Sequence, residues 1–280
     1  MFNPIFALVS SLIWAFSPIY YKTFMKRFDF LLLNILRTGM ASAALALPAF
    51  YFGFNEGIYY ALLSGSITLA VGDTLYLLAV KEMGASIASP VVYVYVLFVQ
   101  FTAGSVGEVV PYANYAAAVM VVAGVFVLSR GGEPGRPRAR GIALGVAAGL
   151  TWAIGQDFIT LATRAGGNVV TITFARNLAA TFGLGLAVLA TRRWRLWPEK
   201  VSRREMGVVA VIALSDLVVG SLLFVYSVSL VGIAVTVILT SLSPFLTQVF
   251  SRVLGKESPS SKDYVGGAII VAAVVLAVAL

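Results

Sequence analysis

Five ionisable residues lie inside long apolar stretches of this 280-residue chain, namely Arg37, Asp73, Asp157, Arg176 and Asp216. A charge at the centre of a bilayer costs at least about 2.5–3.5 kcal/mol, so such residues face a protein interior, an aqueous cavity or a partner charge. Asp73 and Asp216 could face a cavity and carry a proton, or form structural hydrogen bonds. Arg37 and Arg176 could bond unwound backbone carbonyls in a repeated structural role, or recognise a carboxylate. Asp157 is expected to form an ion pair with Arg164 or Arg176.

Aromatic residues form a second set that could bind a ligand. Its members, with one neighbouring amide, are Trp14, Tyr76, Tyr93, Trp152, Gln156, Phe224 and Tyr226. Isolated Trp and Tyr residues of membrane proteins usually anchor at the interfaces, but these lie mostly away from the predicted span ends. Aromatic rings beside carboxylates would suit an organic cation through cation–π attraction. They would equally suit stacking on an aromatic amino acid.

The elements that position these residues are membrane-spanning helices. The chain is 60% apolar and only 11% charged, with a mean hydropathy of +0.94. Uncharged runs of about 20 residues match the roughly 30 Å hydrocarbon slab of a bilayer. We therefore predict an all-α membrane protein of ten transmembrane helices. The predicted spans are 4–22, 30–52, 58–80, 86–105, 113–129, 141–163, 170–191, 207–228, 233–252 and 264–280.

The composition argues against several other classes of protein. The chain has no His and no Cys, which removes disulfides, haem attachment, most zinc and redox chemistry and any histidine proton relay. It also lacks a phosphate-binding Gly-x4-Gly-Lys-Ser/Thr loop and a Gly-x-Ser-x-Gly elbow. We expect no enzyme activity, no metal and no cofactor. The basic residues lie beside the spans, so the pI near 9.8 predicts a topology signal rather than a nucleic-acid partner.

The second half of the chain repeats the first. Leu12-Ile13-Trp14-Ala15 returns as Leu150-Thr151-Trp152-Ala153, and Gly72-x3-Tyr76-x7-Gly84 returns as Gly220-x3-Phe224-x7-Gly232. Arg37 matches Arg176, and Gln100 matches Gln248. We predict two five-helix repeats, at 1–130 and 141–280, joined by a polar linker at 131–140. In a membrane protein, an inverted repeat indicates alternating-access transport with the site between the halves.

The distribution of positive charge predicts that the two repeats are inverted. Apart from Arg37 and Arg176 within spans, and Arg164, every Lys and Arg lies in an odd-numbered connection or beside it. By the positive-inside rule that face is cytoplasmic and both termini point outward. Because each repeat has five spans, matching loops of the two repeats then lie on opposite sides. The expected location is the cytoplasmic (inner) membrane of a prokaryote.

These paired motifs resemble the drug/metabolite transporter superfamily, in its ten-helix EamA-like branch, over nearly the whole chain. The resemblance implies export or exchange of small organic metabolites through a central cavity lined by helices one, three and four of each half. The family's fourth-helix proline is Pro244 in the second half, but Val96 stands at the aligned position of the first. Pro90, six residues earlier, could serve in its place. Substrates of this superfamily range over amino acids, choline-like cations, sugar nucleotides and drugs.

The sequence therefore predicts a secondary transporter for small organic metabolites, with amino acids, aromatic ones among them, as the first candidates. The alternatives are transport of choline-like or drug-like organic cations, or a non-transporting structural or signalling membrane protein. Pro18, Pro90 and Pro244 are candidate gating residues because proline frees a backbone carbonyl and bends a helix. Gln100 and Gln248 are expected to bond across the pseudo-twofold axis. Spans five and ten, free of charge, are expected to face lipid or a second copy in a homodimer.

Overall fold

The first repeat consists of five helices that cross the protein in turn. The structure is a computed structural model, and it describes residues 4–129, 139–254 and 261–279. No strand occurs in these ranges. The helices of the first repeat are α1 (Ile5–Phe24), α2 (Phe30–Phe52), α3 (Gly57–Met83), α4 (Ala85–Val92 with Tyr95–Thr102) and α5 (Tyr112–Ser129).

The second repeat has the same five-helix plan. The eighth and ninth helices of the chain follow each other without a loop. Only Gly232 separates them, because its φ of 81° and ψ of 166° are not helical. The helices are α6 (Ala139–Arg164), α7 (Val169–Ala190), α8 (203–231), α9 (233–240 with Ser243–Val253) and α10 (Ser261–Ala279). The described residues thus confirm ten helices, with ends within a few residues of the prediction. The predicted linker at 131–140 lies mostly outside them.

Contacts between connections show that the repeats are inverted. Arg193, after α7, donates to the Asp29 carboxylate in the first connection, and Arg27 of that connection pairs with Glu205. At the opposite ends of the helices, Arg164, the last residue of α6, donates to the carbonyls of Val106 and Gly107 after α4. Odd-numbered connections therefore share one face and even-numbered connections the other. The matching connections that follow α1 and α6 lie on opposite faces.

A π-helical segment interrupts the middle of α3 and the middle of α8. These segments are Ser66–Gly72 and Ser215–Gly220, and the 148-residue offset of the repeat places them at matching positions. A π segment leaves carbonyls without their usual helical partner and is often found at functional sites. The side-chain amide of Asn34 donates to Leu69 O at 2.9 Å, and that of Asn177 donates to the matching Leu217 O at 3.2 Å.

The fourth helix of each repeat is broken at matching residues, although the two prolines do not match. In α4 the break falls at Tyr93 and Val94, and in α9 at Ser241 and Leu242. Pro90 stands in the last turn before the first break, whereas Pro244 begins the helix after the second. Proline lacks an N–H, so it is tolerated in the first turn of a helix and disrupts what precedes it. The two hinges are therefore equivalent in position but differ in sequence.

Helices α5 and α10 pack closely against each other. A Cβ built on Gly124 of α5 would lie 2.8 Å from Gly266 O of α10, which shows how closely the two backbones approach. Small residues allow this kind of contact between membrane helices. Each helix therefore turns one face toward the other, and the expectation that they face lipid or a second copy stays a prediction for the remaining faces. Their outer faces, including Val119, Phe126 and Val271, are exposed.

Candidate functional site

A cavity lies where the two repeats meet, between the π-helical segments and the broken helices. Its empty space is at most about 660 Å³, a figure that includes the open mouth and lies within the size range of small-molecule sites. The lining comes from both repeats and comprises Trp14, Ser17, Pro18, Tyr21, Arg37, Thr68, Leu69, Asp73, Tyr76, Ser89, Tyr93, Tyr95, Trp152, Gln156, Arg176, Asp216, Leu217, Ser221 and Ser243.

Arg37 joins two carboxylates that come from different repeats. One of its terminal nitrogens is 2.8 Å from Asp216 Oδ2 of α8 and 3.3 Å from Asp73 Oδ2 of α3. The other donates to Asn34 Oδ1 at 3.3 Å. All three charged side chains are at least nine-tenths buried. The cluster thus links the two repeats, and loss of one partner would leave a buried charge without compensation.

Tyr21 completes this cluster, and the sequence did not point to it. Its hydroxyl donates to Asp216 Oδ2 at 2.7 Å, and the Arg37 guanidinium carbon lies 4.1 Å from the centre of its ring. Tyr21 stands close to the predicted end of span one, where a tyrosine normally indicates an interfacial anchor. A signal was available only in hindsight: Tyr21 is one turn beyond Pro18, on the face that Trp14 begins.

The aromatic residues form two matching pairs across the pseudo-twofold axis. The rings of Trp152 and Tyr76 have centroids 5.3 Å apart, and those of Trp14 and Phe224 lie 5.0 Å apart. Each pair joins the first helix of one repeat to the third helix of the other. Tyr95 adds an edge-on contact to Trp152 at 5.7 Å. The cavity thus has an aromatic wall at both ends, although Phe224 stands behind Trp14 rather than in the lining.

Two matching glycines explain how these tryptophans fit. A Cβ on Gly72 would lie 2.5 Å from Trp152 Cδ1, and a Cβ on Gly220 would lie 2.7 Å from Trp14 Nε1. Any side chain at either position would displace the indole of the opposite repeat. The repeated glycine of the third helix therefore packs against the repeated tryptophan of the first helix in the other repeat.

Arg176 matches Arg37 in the repeat but has a different environment. It is 3% exposed and lines the cavity, and its Nε donates to Ser64 Oγ at 3.0 Å. No carboxylate of the described residues lies within 4.0 Å of its guanidinium, and its two terminal nitrogens have no hydrogen-bond partner there. Neither arginine bonds an unwound carbonyl, so the expected shared structural role is wrong. Asn34 and Asn177 fulfil it instead.

Several predicted site residues lie elsewhere. Tyr226 is 41% exposed and packs edge-on against Phe6, outside the cavity. Asp157 is buried but is not part of the lining, and it forms no ion pair with Arg164 or Arg176. Its Oδ1 has no partner among the described residues. Arg164 instead binds backbone carbonyls, because its long side chain reaches the neighbouring connection.

One of the three candidate gating prolines lines the cavity. This is Pro18, whereas Pro90 and Pro244 are not part of the lining but directly follow the lining residues Ser89 and Ser243 in the sequence.

The paired glutamines are both buried. Gln100 bonds across the repeats as expected, donating to Ala234 O at 3.1 Å. Gln248 is buried at the matching position.

Glu108 links the two repeats on the face that carries the even-numbered connections. Its carboxylate accepts from the backbone N–H groups of Ile233 at 2.7 Å and Ala234 at 3.1 Å, at the start of α9. The Thr160 hydroxyl of α6 donates to the same carboxylate at 3.3 Å. A carboxylate at a helix N-terminus satisfies unpaired N–H groups and interacts favourably with the helix dipole. Glu108 was not among the site residues predicted from the sequence.

Comparison with known proteins agrees with this architecture. The sequence model of the EamA-like transporter family matches residues 1–130 and again residues 139–279. One solved crystal structure superimposes with a TM-score of 0.73 at 19% sequence identity, covering 98% of this chain and 95% of that one. At that identity the likeness concerns the fold alone. No curated protein matches the sequence.

Proposed function

We propose that this chain, which belongs to the EamA-like transporter family, exports or exchanges small organic metabolites by alternating access. Membership of the family makes it a multi-pass membrane transporter of small molecules. Amino acids, and aromatic ones first, are the proposed substrates. The two inverted repeats would rock against each other about the cavity that they share. The broken helices α4 and α9 and the matched π segments are the places where the backbone can bend.

The observation that carries this proposal is the cavity itself, built from mirrored residues of both repeats. Its walls combine flat rings (Trp14, Tyr76, Trp152) with charged and polar groups at a depth where each charge is costly. Binding sites for small molecules have this composition, with mainly apolar and aromatic walls and a few convergent polar groups. A structural or signalling membrane protein would not require it.

The charges favour a substrate with a carboxylate over an organic cation. A buried cationic ligand needs a carboxylate that is not already paired to compensate its charge. Both carboxylates of the cavity, Asp73 and Asp216, are already bound to Arg37, and Asp216 also accepts from Tyr21. The one charged side chain of the lining without an ion pair is the cation Arg176. The substrates are therefore expected to carry a negative group.

Flux measurements on purified protein in liposomes test the proposal. Vesicles are loaded with an unlabelled amino acid, and entry of the same labelled compound is followed, with choline tested in parallel. We expect exchange of one or more amino acids above the level of protein-free vesicles and no exchange of choline. Exchange of choline but of no amino acid would replace the proposed substrate class, and no exchange of any compound would contradict the transport function.

A further inference from the structure

The cavity holds one arginine whose matching partner in the other repeat is neutralised by a carboxylate. Arg37 of α2 lies 2.8 Å from Asp216 of α8, across the repeat boundary. The internal offsets of the repeat, 139 residues for the second helix and 148 for the third, match Arg37 with Arg176 and Asp216 with Thr68. Arg176 of the second repeat and Thr68 of the first both line the cavity. A threonine thus stands where the symmetric arrangement has an aspartate.

Close packing brings the stretch of α3 around Thr68 against α7 at Arg176, and Ser64, one turn before Thr68, accepts from Arg176 Nε at 3.0 Å. A Cβ on Gly65, one turn before Thr68, would lie 2.0 Å from the backbone oxygen of Arg176. Thr68 Oγ1 is itself buried without a hydrogen-bond partner among the described residues. Arg176 is likewise left with its terminal nitrogens unbonded in the described part of the chain. The terminal nitrogens of Arg176 and the hydroxyl of Thr68, two groups of the cavity lining, therefore have no hydrogen-bond partner among the described residues.

We propose that Arg176 and Thr68 bind the carboxylate of the transported molecule, which takes the place that Asp216 occupies beside Arg37. This inference rests on the proposed function and names the residues that select its substrate. The guanidinium can hold a carboxylate through two parallel hydrogen bonds, and the Thr68 hydroxyl can donate a third. Arg176 is the one basic side chain of the described lining that has no ion pair. A single positive charge matches a carboxylate better than a doubly charged phosphate.

Neighbouring residues fit the remainder of such a molecule. Gln156 is 4% exposed, lines the cavity and has an Oε1 without a partner in the described ranges, so it can accept a hydrogen bond from an ammonium group. Its match in the first repeat is Pro18, which has no side-chain acceptor. The rings of Trp152 and Tyr76 offer an apolar wall for a flat side chain. Recognition is therefore confined to one of the two mirrored positions, and an α-amino acid satisfies all three groups.

Ligand-induced thermal stabilisation of purified protein in detergent tests this assignment. The probes are the protein amino acids, their methyl esters and the corresponding amines that lack the carboxyl group. For the wild type we expect stabilisation by one or more amino acids and none by the matching ester or amine. Equal stabilisation by ester and acid, or none by any amino acid, would overturn the proposal even if flux is observed. Binding without flux would instead contradict transport and leave the assignment standing.

Variants locate the effect on the two residues. Arg176→Gln should weaken binding of the acid by about 100-fold, because truncating one partner of a buried charge pair has an effect of this order. The surface variant Arg195→Gln is the matched control and should bind as the wild type does. Thr68→Asp should supply an internal carboxylate to Arg176 and so abolish binding without loss of thermal stability, whereas Thr68→Asn should retain binding. If Thr68→Asp binds the amino acid like Thr68→Asn, the proposal is wrong.

Discussion

The indole N–H of Trp152 donates a hydrogen bond to the carboxylate of Asp73 at 3.1 Å, joining α6 of one repeat to α3 of the other. The matching Trp14 also donates across the repeat boundary, but to the backbone carbonyl of Asp216 at 3.2 Å. The same residue type at mirrored positions therefore meets a charged acceptor at one end of the cavity and a neutral acceptor at the other. The symmetric fold carries an asymmetric charge distribution.

This difference predicts unequal effects when the two tryptophans lose their N–H groups. Trp152→Phe should destabilise the protein by roughly 1.5–3 kcal/mol, the typical value for a hydrogen bond to a charged group, and Trp14→Phe by about 0.5–1.5 kcal/mol. The aromatic contacts with Tyr76 and Phe224 are largely retained in these variants. Thermal unfolding in detergent measures the difference, and a larger loss for Trp14→Phe would contradict the asymmetry.

Gly72 and Gly220 should not tolerate alanine. A Cβ at either position would lie within 2.8 Å of the indole opposite, so Gly72→Ala and Gly220→Ala should displace Trp152 and Trp14 and reduce transport at least about tenfold by disturbing substrate positioning. Gly207→Ala is the control, since no atom lies within 4 Å of a Cβ there. Equal flux in all three variants would show that the tryptophans are not held by these contacts.

Removal of the Arg37 charge should be the most damaging single change in the cavity. Arg37→Gln leaves two buried carboxylates without their cation, and breaking a buried ion pair costs about 3–5 kcal/mol. Arg27→Gln removes an exposed ion pair with Glu205 and should leave stability nearly unchanged, because water screens such pairs. Thermal unfolding compares the two variants. Similar unfolding midpoints for the two variants would indicate that the ion pairs of Arg37 do not stabilise the contact between the repeats.

The fold could be predicted from the sequence because it depends on local and repeated signals. Apolar runs fixed the ten helices, and the paired motifs indicated two repeats. The π segments could not be predicted, since the sequences of Ser66–Gly72 and Ser215–Gly220 are equally compatible with an ordinary α-helix. They are stabilised by Asn34 and Asn177, which donate to carbonyls 35 and 40 residues away.

The site was only partly predictable for the same reason. Trp14, Tyr76, Tyr93, Trp152 and Gln156 were selected by depth and spacing, and the structure places all of them in the cavity lining. The prediction for Tyr226 is wrong because this residue was chosen by depth alone. Depth in the membrane does not define which face of α8 a residue occupies. The different partners of Arg37 and Arg176 were not predictable, because they depend on which side chain stands opposite in the other repeat.

The predicted orientation can be tested with single cysteines, because the native chain has none. Pro198 lies in an odd-numbered connection and Asn55 in an even-numbered one. In intact cells, an impermeant thiol reagent should label Asn55→Cys and leave Pro198→Cys unlabelled, as the positive-inside rule requires. The reverse pattern would mean that both termini face the cytoplasm.

The central claim is that one cavity between the repeats becomes accessible from each side of the membrane in turn, and a cysteine at Ser17 tests it most directly. Ser17 lines the cavity near the middle of α1 and is 4% exposed. An impermeant thiol reagent is applied to Ser17→Cys protein in right-side-out and in inverted vesicles. The account predicts labelling from both sides, slowed in each case by a transported amino acid. Labelling from one side only, unchanged by substrate, would contradict alternating access.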